Sequence, residues 1–176
     1  GKHNLYNVTA AICVAIEENI SIKNIAKGLS DFQGVGRRFE ISKIYLEDQP
    51  HVLIDDYGHH PAEILSTILA TKEKFPRKKI CMIFEPHRYS RTQQLFDDFV
   101  KVLSKVDFLL LLDIYPASEK PIKGISSQKL AFEIMKNHKN VHYIESQDPI
   151  DWLQNNHQDF SILITQGAGT ISKLNY

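Results

Sequence analysis

The chain has 176 residues, 43% of them hydrophobic, with 21 basic and 21 acidic side chains and a formal net charge of zero. That length suits one ordinary domain with a substantial core, or one domain plus part of another. The balanced charge argues against a polyanion such as nucleic acid as the main partner. No apolar run approaches the roughly 20 residues of a membrane-spanning helix, and no signal-peptide pattern opens the sequence, so a cytoplasmic protein with no membrane partner is expected. Cys13 and Cys81 lie far apart in apolar segments and read as small buried hydrophobes rather than a disulfide pair.

In chain order, residues 4–18 (NLYNVTAAICVAIEE) place apolar side chains at helical spacing, and residues 21–32 predict a second helix with Ser21 as its N-cap. QGVGRRFE, residues 33–40, carries two glycines and two arginines and reads as a linker, dividing residues 1–35 from 36–176. Beyond it the pattern changes. Strands are predicted over 38–46, 51–57, 79–85, 107–115, 140–145 and 160–166. Helices are predicted over 61–75, 90–106, 126–137 and 148–157, with a last one beginning in 167–175. Most of these strands are continuous apolar runs. Such runs alternating with amphipathic helices give an α/β fold: a Rossmann-like, mostly parallel sheet with helices on both faces.

In such sheets, ligand-binding groups collect at the carboxyl ends of the strands. Four predicted strands end in polar or glycine-rich segments: DDYGHHP (55–61), EPHRYSRT (85–92), DIYPASEKPIKG (113–124) and QGAG (166–169). Together they make a plausible rim for a small polar ligand. Each segment also has a plainer reading. Asp55 and Asp56 suit the cap of the helix starting near Pro61, and His59 and His60 suit a turn. With His87 the two histidines could form a zinc site, although adjacent residues diverge and zinc prefers well-spaced ligands. Arg88 and Arg91 are either surface charges or, near a helix N-terminus, partners of an anion. QGAG lacks the full GxGxxG pattern, so its glycines read better as allowing close helix–strand packing. Tyr115 and Glu119 read as shaping their own loop, and Trp152 as core.

Taken together, GKHNLYNVTAA, FQGVGRRFE, DDYGHHPAEI, EPHRYSRT, YPASEKPIKG and QGAGTI resemble the Mur ligases, in order and spacing, over nearly the whole chain. The intact EPHRYSRT resembles the alanine-adding members. The resemblance implies the last helices of a central ATPase domain followed by a C-terminal, amino-acid-binding domain. It implies ATP and Mg²⁺ as cofactors, with L-alanine, UDP-N-acetylmuramate and ATP as partners. No G-x-x-x-x-G-K-[ST] loop is present, so the groups that cradle the triphosphate and Mg²⁺ are expected elsewhere in a longer protein, and this chain alone is expected to be inactive.

Residue by residue, the resemblance implies that His3, Asn4 and Asn7 bind adenine, a task suited to the paired donor and acceptor of an Asn amide. It implies Arg38 as a contact to ATP phosphates, with Arg37 as its neighbour, and Asp56 on the ATP side near the ribose. Tyr57, His59, His87 and Arg91 would form the alanine pocket, with no metal ligands among them. Arg91 would pair with the alanine carboxylate. Either His59 or His87 would take the ammonium proton, and the residues leave open which. Glu85 stands where many relatives carry Gln, a change expected to leave the chemistry intact.

Overall fold

The computed structural model describes residues 2–32, 34–156 and 159–174, with side chains from Leu5 onward. It divides into two compact units, 1–36 and 37–176. In the first, α1 (Lys2–Glu17) and α2 (Ile22–Asp31) follow the predicted helices, and Ser21 Oγ accepts the Asn24 N–H at 3.3 Å. Leu5, Tyr6, Val14, Ile16, Ile22 and Phe32 are all exposed. Cys13 is exposed as well, which corrects the expectation that both cysteines are buried; an apolar neighbourhood in sequence does not say which side of a helix is covered.

The second unit is one six-stranded sheet. Its strands are β1 (Glu40–Leu46), β2 (Gln49–Asp56), β3 (Ile80–Phe84), β4 (Phe108–Leu111), β5 (Val141–Tyr143) and β6 (Ile162–Gln166), in the spatial order β1-β2-β6-β3-β4-β5. Only β1 runs antiparallel to its neighbour. Helices α3 (Pro61–Lys74), α4 (Tyr89–Gln94), α5 (Phe96–Leu103), α6 (Ser127–Met135) and α7 (Pro149–Asn156) connect the parallel strands, and a short 3-10 turn, Thr170–Lys173, follows β6. Two predicted elements differ. The helix expected over 90–106 breaks at Leu95, whose φ and ψ of −113° and 23° leave the helical region. The last predicted helix is confined to the 3-10 turn among the described residues.

Handedness explains the layers. From β2 through β5 the chain steps across the sheet in one sense, so right-handed crossovers put α3, α5 and α6 on one face. The connection from β5 to β6 runs back the other way, so α7 lies on the opposite face. The core splits accordingly into two clusters. Ile80, Met82, Phe84, Ile162 and Ile164 meet Ile64, Ile68, Phe99, Leu103, Leu130 and Ile134. The alternate residues Cys81, Ile83, Leu53 and Leu163 meet Ile150, Leu153 and Ile171. The central strands β3 and β6 are buried at every position, which is why they read as unbroken apolar runs. Complete burial pushes the Cys81 thiol well above its ordinary pKa, leaving it an inert hydrophobe. No helix among the described residues is long and apolar enough to cross a membrane.

Phe99 is fully buried and its ring lies 5.7 Å from that of Phe84, whereas Phe132 is 62% exposed. Phe99→Ala is expected to lower the unfolding free energy by about 3–5 kcal/mol. Phe132→Ala should stay within about 0.5 kcal/mol. Urea denaturation of the two variants checks the contrast.

Candidate functional site

Strands β2, β6, β3 and β4 are neighbours, so the four polar segments that follow them stand side by side at one edge. The chain leaves β2 toward α3 on one face and leaves β6 toward the 3-10 turn on the other. Adjacent connections that diverge in this way open a crevice at the strand ends.

The two aspartates do not cap α3. His60 does: its Nδ1 accepts the Ala62 N–H at 3.3 Å, while the Glu63 carboxylate accepts the N–H groups of His59 and His60 at 2.9 and 3.0 Å. Histidine thus fills the place usually held by Ser or Thr in a capping box. Burial alone would raise the Glu63 pKa, but these two donors and the nearby imidazoles hold it below the ordinary range.

Asp55 accepts Arg37 Nε at 3.0 Å and the Thr165 hydroxyl at 3.0 Å. Arg37 also donates to the Gly167 carbonyl at 2.7 Å and lies 5.6 Å from the centre of the Tyr57 ring. Asp56 accepts the Phe39 and Gly58 N–H groups at 2.9 and 2.8 Å and Gln166 Nε2 at 2.8 Å. The same Gln166 nitrogen donates to the Gly58 carbonyl at 2.8 Å. Gly58 is packed so closely that a Cβ would sit 2.6 Å from Gln166 Nε2 and 2.7 Å from Asp56 Oδ1.

Above this base lies a row of rings. Tyr57 meets His59 edge-on at 5.4 Å, His59 meets His87 at 5.4 Å, and His87 stacks on Tyr115 at 5.3 Å with 20° between the planes. Arg91 Nη1 donates to the His87 carbonyl at 3.1 Å and faces His87 Nδ1 at 3.4 Å. His59 Nδ1 lies 3.2 Å from the Tyr57 carbonyl. Both imidazoles titrate below the ordinary histidine value. For His59 the cause is burial and then the Arg91 charge, partly opposed by Glu63. For His87 it is burial, then His59, Arg91 and Arg88, opposed by Glu119. Two neutral rings beside a guanidinium can bind a carboxylate and accept a proton.

Of the residues singled out in the sequence, Tyr57, His59, His87 and Arg91 come together. Asp56 ends β2 just before Tyr57, with both carboxylate oxygens turned to protein donors. Arg38 is exposed and carries no hydrogen bond or ion pair among the described residues. Asn7 is exposed on α1 in the other unit, and the side chains of His3 and Asn4 lie outside the described residues. Among the described residues no three His, Cys, Asp or Glu side chains are grouped to hold a metal. Sequence reasoning named Arg37 without giving it a task, and it missed the bonds of Gln166 and the reach of Tyr115 and Glu119. The last accepts the Ser90 N–H and hydroxyl at 2.9 and 2.6 Å and so ties the loop after β4 to α4. Only the doubled arginine of QGVGRRFE hinted at Arg37.

Comparison with known proteins bears on this geometry. The family model described as Mur ligase, glutamate ligase domain, matches residues 37–169. A UDP-N-acetylmuramate–L-alanine ligase of Psychrobacter arcticus is 44% identical over 176 residues, spanning 99% of this chain and 37% of its own length. One from Hydrogenovibrio crunogenus is 43% identical, spanning 99% and 38%. The chain therefore spans a little over a third of the length of these curated relatives. The crystal structure of a UDP-N-acetylmuramate–alanine ligase from Thermotoga maritima superposes with a TM-score of 0.70 at 26% identity, covering 98% of this chain and 36% of that one. A murein peptide ligase from Psychrobacter arcticus gives 0.72 at 20% identity, covering 99% and 36%, and shares the fold.

His51, His59, His87 and His142 all titrate below the ordinary value of 6.5, burial being the main cause in each. In that case the unfolded chain binds more protons than the folded one as the solution is acidified. The stability from keeping these rings neutral is complete above pH 6.5 and is lost as pH falls from there toward the folded values. Urea denaturation at a series of pH values should show the unfolding free energy dropping on acidification through this window, before the carboxylates protonate.

Proposed function

Because the chain belongs to the Mur ligase family, we propose that it is part of an ATP-dependent UDP-N-acetylmuramate–L-alanine ligase of peptidoglycan synthesis, acting in the cytoplasm. Residues 36–176 are the amino-acid-binding domain, and residues 1–35 are the closing helices of an ATP-binding domain. The observation that carries this reading is the convergence of Tyr57, His59, His87 and Arg91 at the strand-end rim, with both imidazoles inclined to stay neutral.

The chemistry asks for such a site. A carboxylate is a poor electrophile, and phosphorylation by ATP gives the muramyl carboxylate a leaving group. The alanine amine must then lose its proton and reach the acyl carbon before water does. Arg91 spends Nη1 on His87, and its other N–H groups have no partner among the described residues, so they remain free for the alanine carboxylate.

The hydrogen bonds favour His59 as the proton acceptor. Its Nδ1 faces a carbonyl and so carries the hydrogen, leaving the Nε2 lone pair free. His87 Nδ1 faces an arginine N–H and so accepts, placing its hydrogen on Nε2. On the ATP side, exposed Arg38 suits a phosphate. Asp56 Oδ2 accepts one protein bond, leaving it able to take a ribose hydroxyl as well. His3, Asn4 and Asn7 are the proposed adenine contacts. Mg²⁺ would be held mainly by other parts of the longer protein, beside the ATP phosphates.

In the longer ligase, Arg91→Ala should raise the KM for alanine roughly ten- to more than a hundredfold, from the loss of about 1.5–3 kcal/mol of charge-assisted bonding. The KM for UDP-N-acetylmuramate should barely change. The 176-residue chain alone should release no ADP with both substrates present. An unaltered alanine KM in Arg91→Ala would remove Arg91 from the pocket.

A further inference from the structure

Tyr115 and Glu85 take no part in the chemistry above, yet both are built into its frame. We propose that Tyr115 is a positioning residue, seated by Gly169 and Glu85, whose ring fixes the plane of the His87 imidazole. The kinetic half of this proposal rests on the ligase reading.

The backbone supplies the first observation. His87 and Tyr115 form an isolated parallel bridge, in which Arg88 N–H donates to the Tyr115 carbonyl and Tyr115 N–H to the Pro86 carbonyl, both at 2.8 Å. Paired residues send their side chains to the same side, which is why the rings stack rather than diverge.

The second observation lies behind Tyr115. A Cβ on Gly169 would sit 2.7 Å from Tyr115 Cγ and 2.5 Å from Glu85 Oε2, so only a hydrogen fits between ring and carboxylate. Glu85 is 5% exposed and accepts the Thr170 hydroxyl at 2.7 Å and the Ile171 N–H at 3.0 Å. Those two bonds pin the loop after β6 against the back of Tyr115. The residue that reads in sequence as a harmless variation is therefore an anchor. Gln can replace it, since its carbonyl can accept the Ile171 N–H while its amide donates to the Thr170 oxygen.

The stack also governs the water around His87. Tyr115 covers one side of the ring and His59 lies toward another. The charged and titratable groups that act on it are His59 from the loop after β2, Arg88 and Arg91 from its own loop and α4, and Glu119 from the loop after β4. Removing the tyrosine ring admits water without altering any of these charges.

The experiment follows the His87 imidazole by NMR pH titration of this chain, in Tyr115→Phe, Tyr115→Leu and Glu85→Gln. Phe and Gln should keep the lowered midpoint, while Leu should raise it toward 6.5. In the longer ligase, Tyr115→Leu should lower kcat/KM for alanine by about tenfold and leave the KM for UDP-N-acetylmuramate unchanged, with Phe restoring the rate. An unmoved His87 midpoint in a folded Tyr115→Leu protein overturns the proposal, and so does a Phe variant as damaged as Leu. If Tyr115→Leu does not fold, Gly169→Ala, which displaces the ring instead of deleting it, must move the midpoint for the proposal to stand. A midpoint that moves while alanine kinetics do not respond would fault the ligase reading and leave the positioning role standing.

Discussion

The last strand of this sheet enters at its centre, and the rim depends on that insertion. β6 pairs with β2 on one side and β3 on the other, so Thr165 and Gln166 reach the ends of strands formed about a hundred residues earlier. Thr165 holds Asp55, and Gln166 holds both Asp56 and the Gly58 carbonyl. Gln166 Nε2 can donate two hydrogen bonds and spends both here, which fixes the orientation of its amide. The turn that carries Tyr57 and His59 takes its shape from these bonds. A side chain at Gly58 would strike them, so the glycine is required by contact rather than by backbone angle.

Electrostatics at the rim differs from that of the outer surface. Lys79 with Asp159 and Lys136 with Glu133 are pairs in which at least one side chain is well exposed, and such pairs contribute little. The Arg37–Asp55 pair has only 22% and 21% of its side chains exposed, and its guanidinium is further bonded to Gly167 and set beside Tyr57. Arg37 therefore acts as a structural clip between the start of the second unit and the ends of β2 and β6, while its neighbour Arg38 stays exposed. The same partial dryness keeps His59 and His87 neutral, and a neutral imidazole is the form in which a histidine can accept a proton.

Glu85, Gly169 and Tyr115 form a second support, set behind the histidines rather than beneath them. The supports come from different loops: Gln166 and Asp56 shape the turn with His59, and Glu85 and the loop after β6 back the ring against His87. Four loops on separate elements thereby set the positions of two imidazoles and one guanidinium, which is the way a rigid scaffold makes a precise site from connecting segments.

Much of this was legible in the sequence. Periodicity and apolar runs marked the strands and helices, Ser21 and Pro61 marked helix starts, and the polar segments at the strand ends marked the rim, because these signals act over a few residues. The motif order pointed to the family for the same reason: each motif is a local string. What tertiary structure alone decided are the relations between distant residues. Nothing within a short window shows that Gln166 will bond to Asp56, that His60 rather than either aspartate will cap α3, or that Arg37 will be clipped and Arg38 exposed. The break at Leu95, the exposure of Cys13 and the stacking of Tyr115 on His87 likewise depend on which surfaces meet. Propensity and spacing specify the elements, but strand order and the handedness of the crossovers determine which of their ends become neighbours.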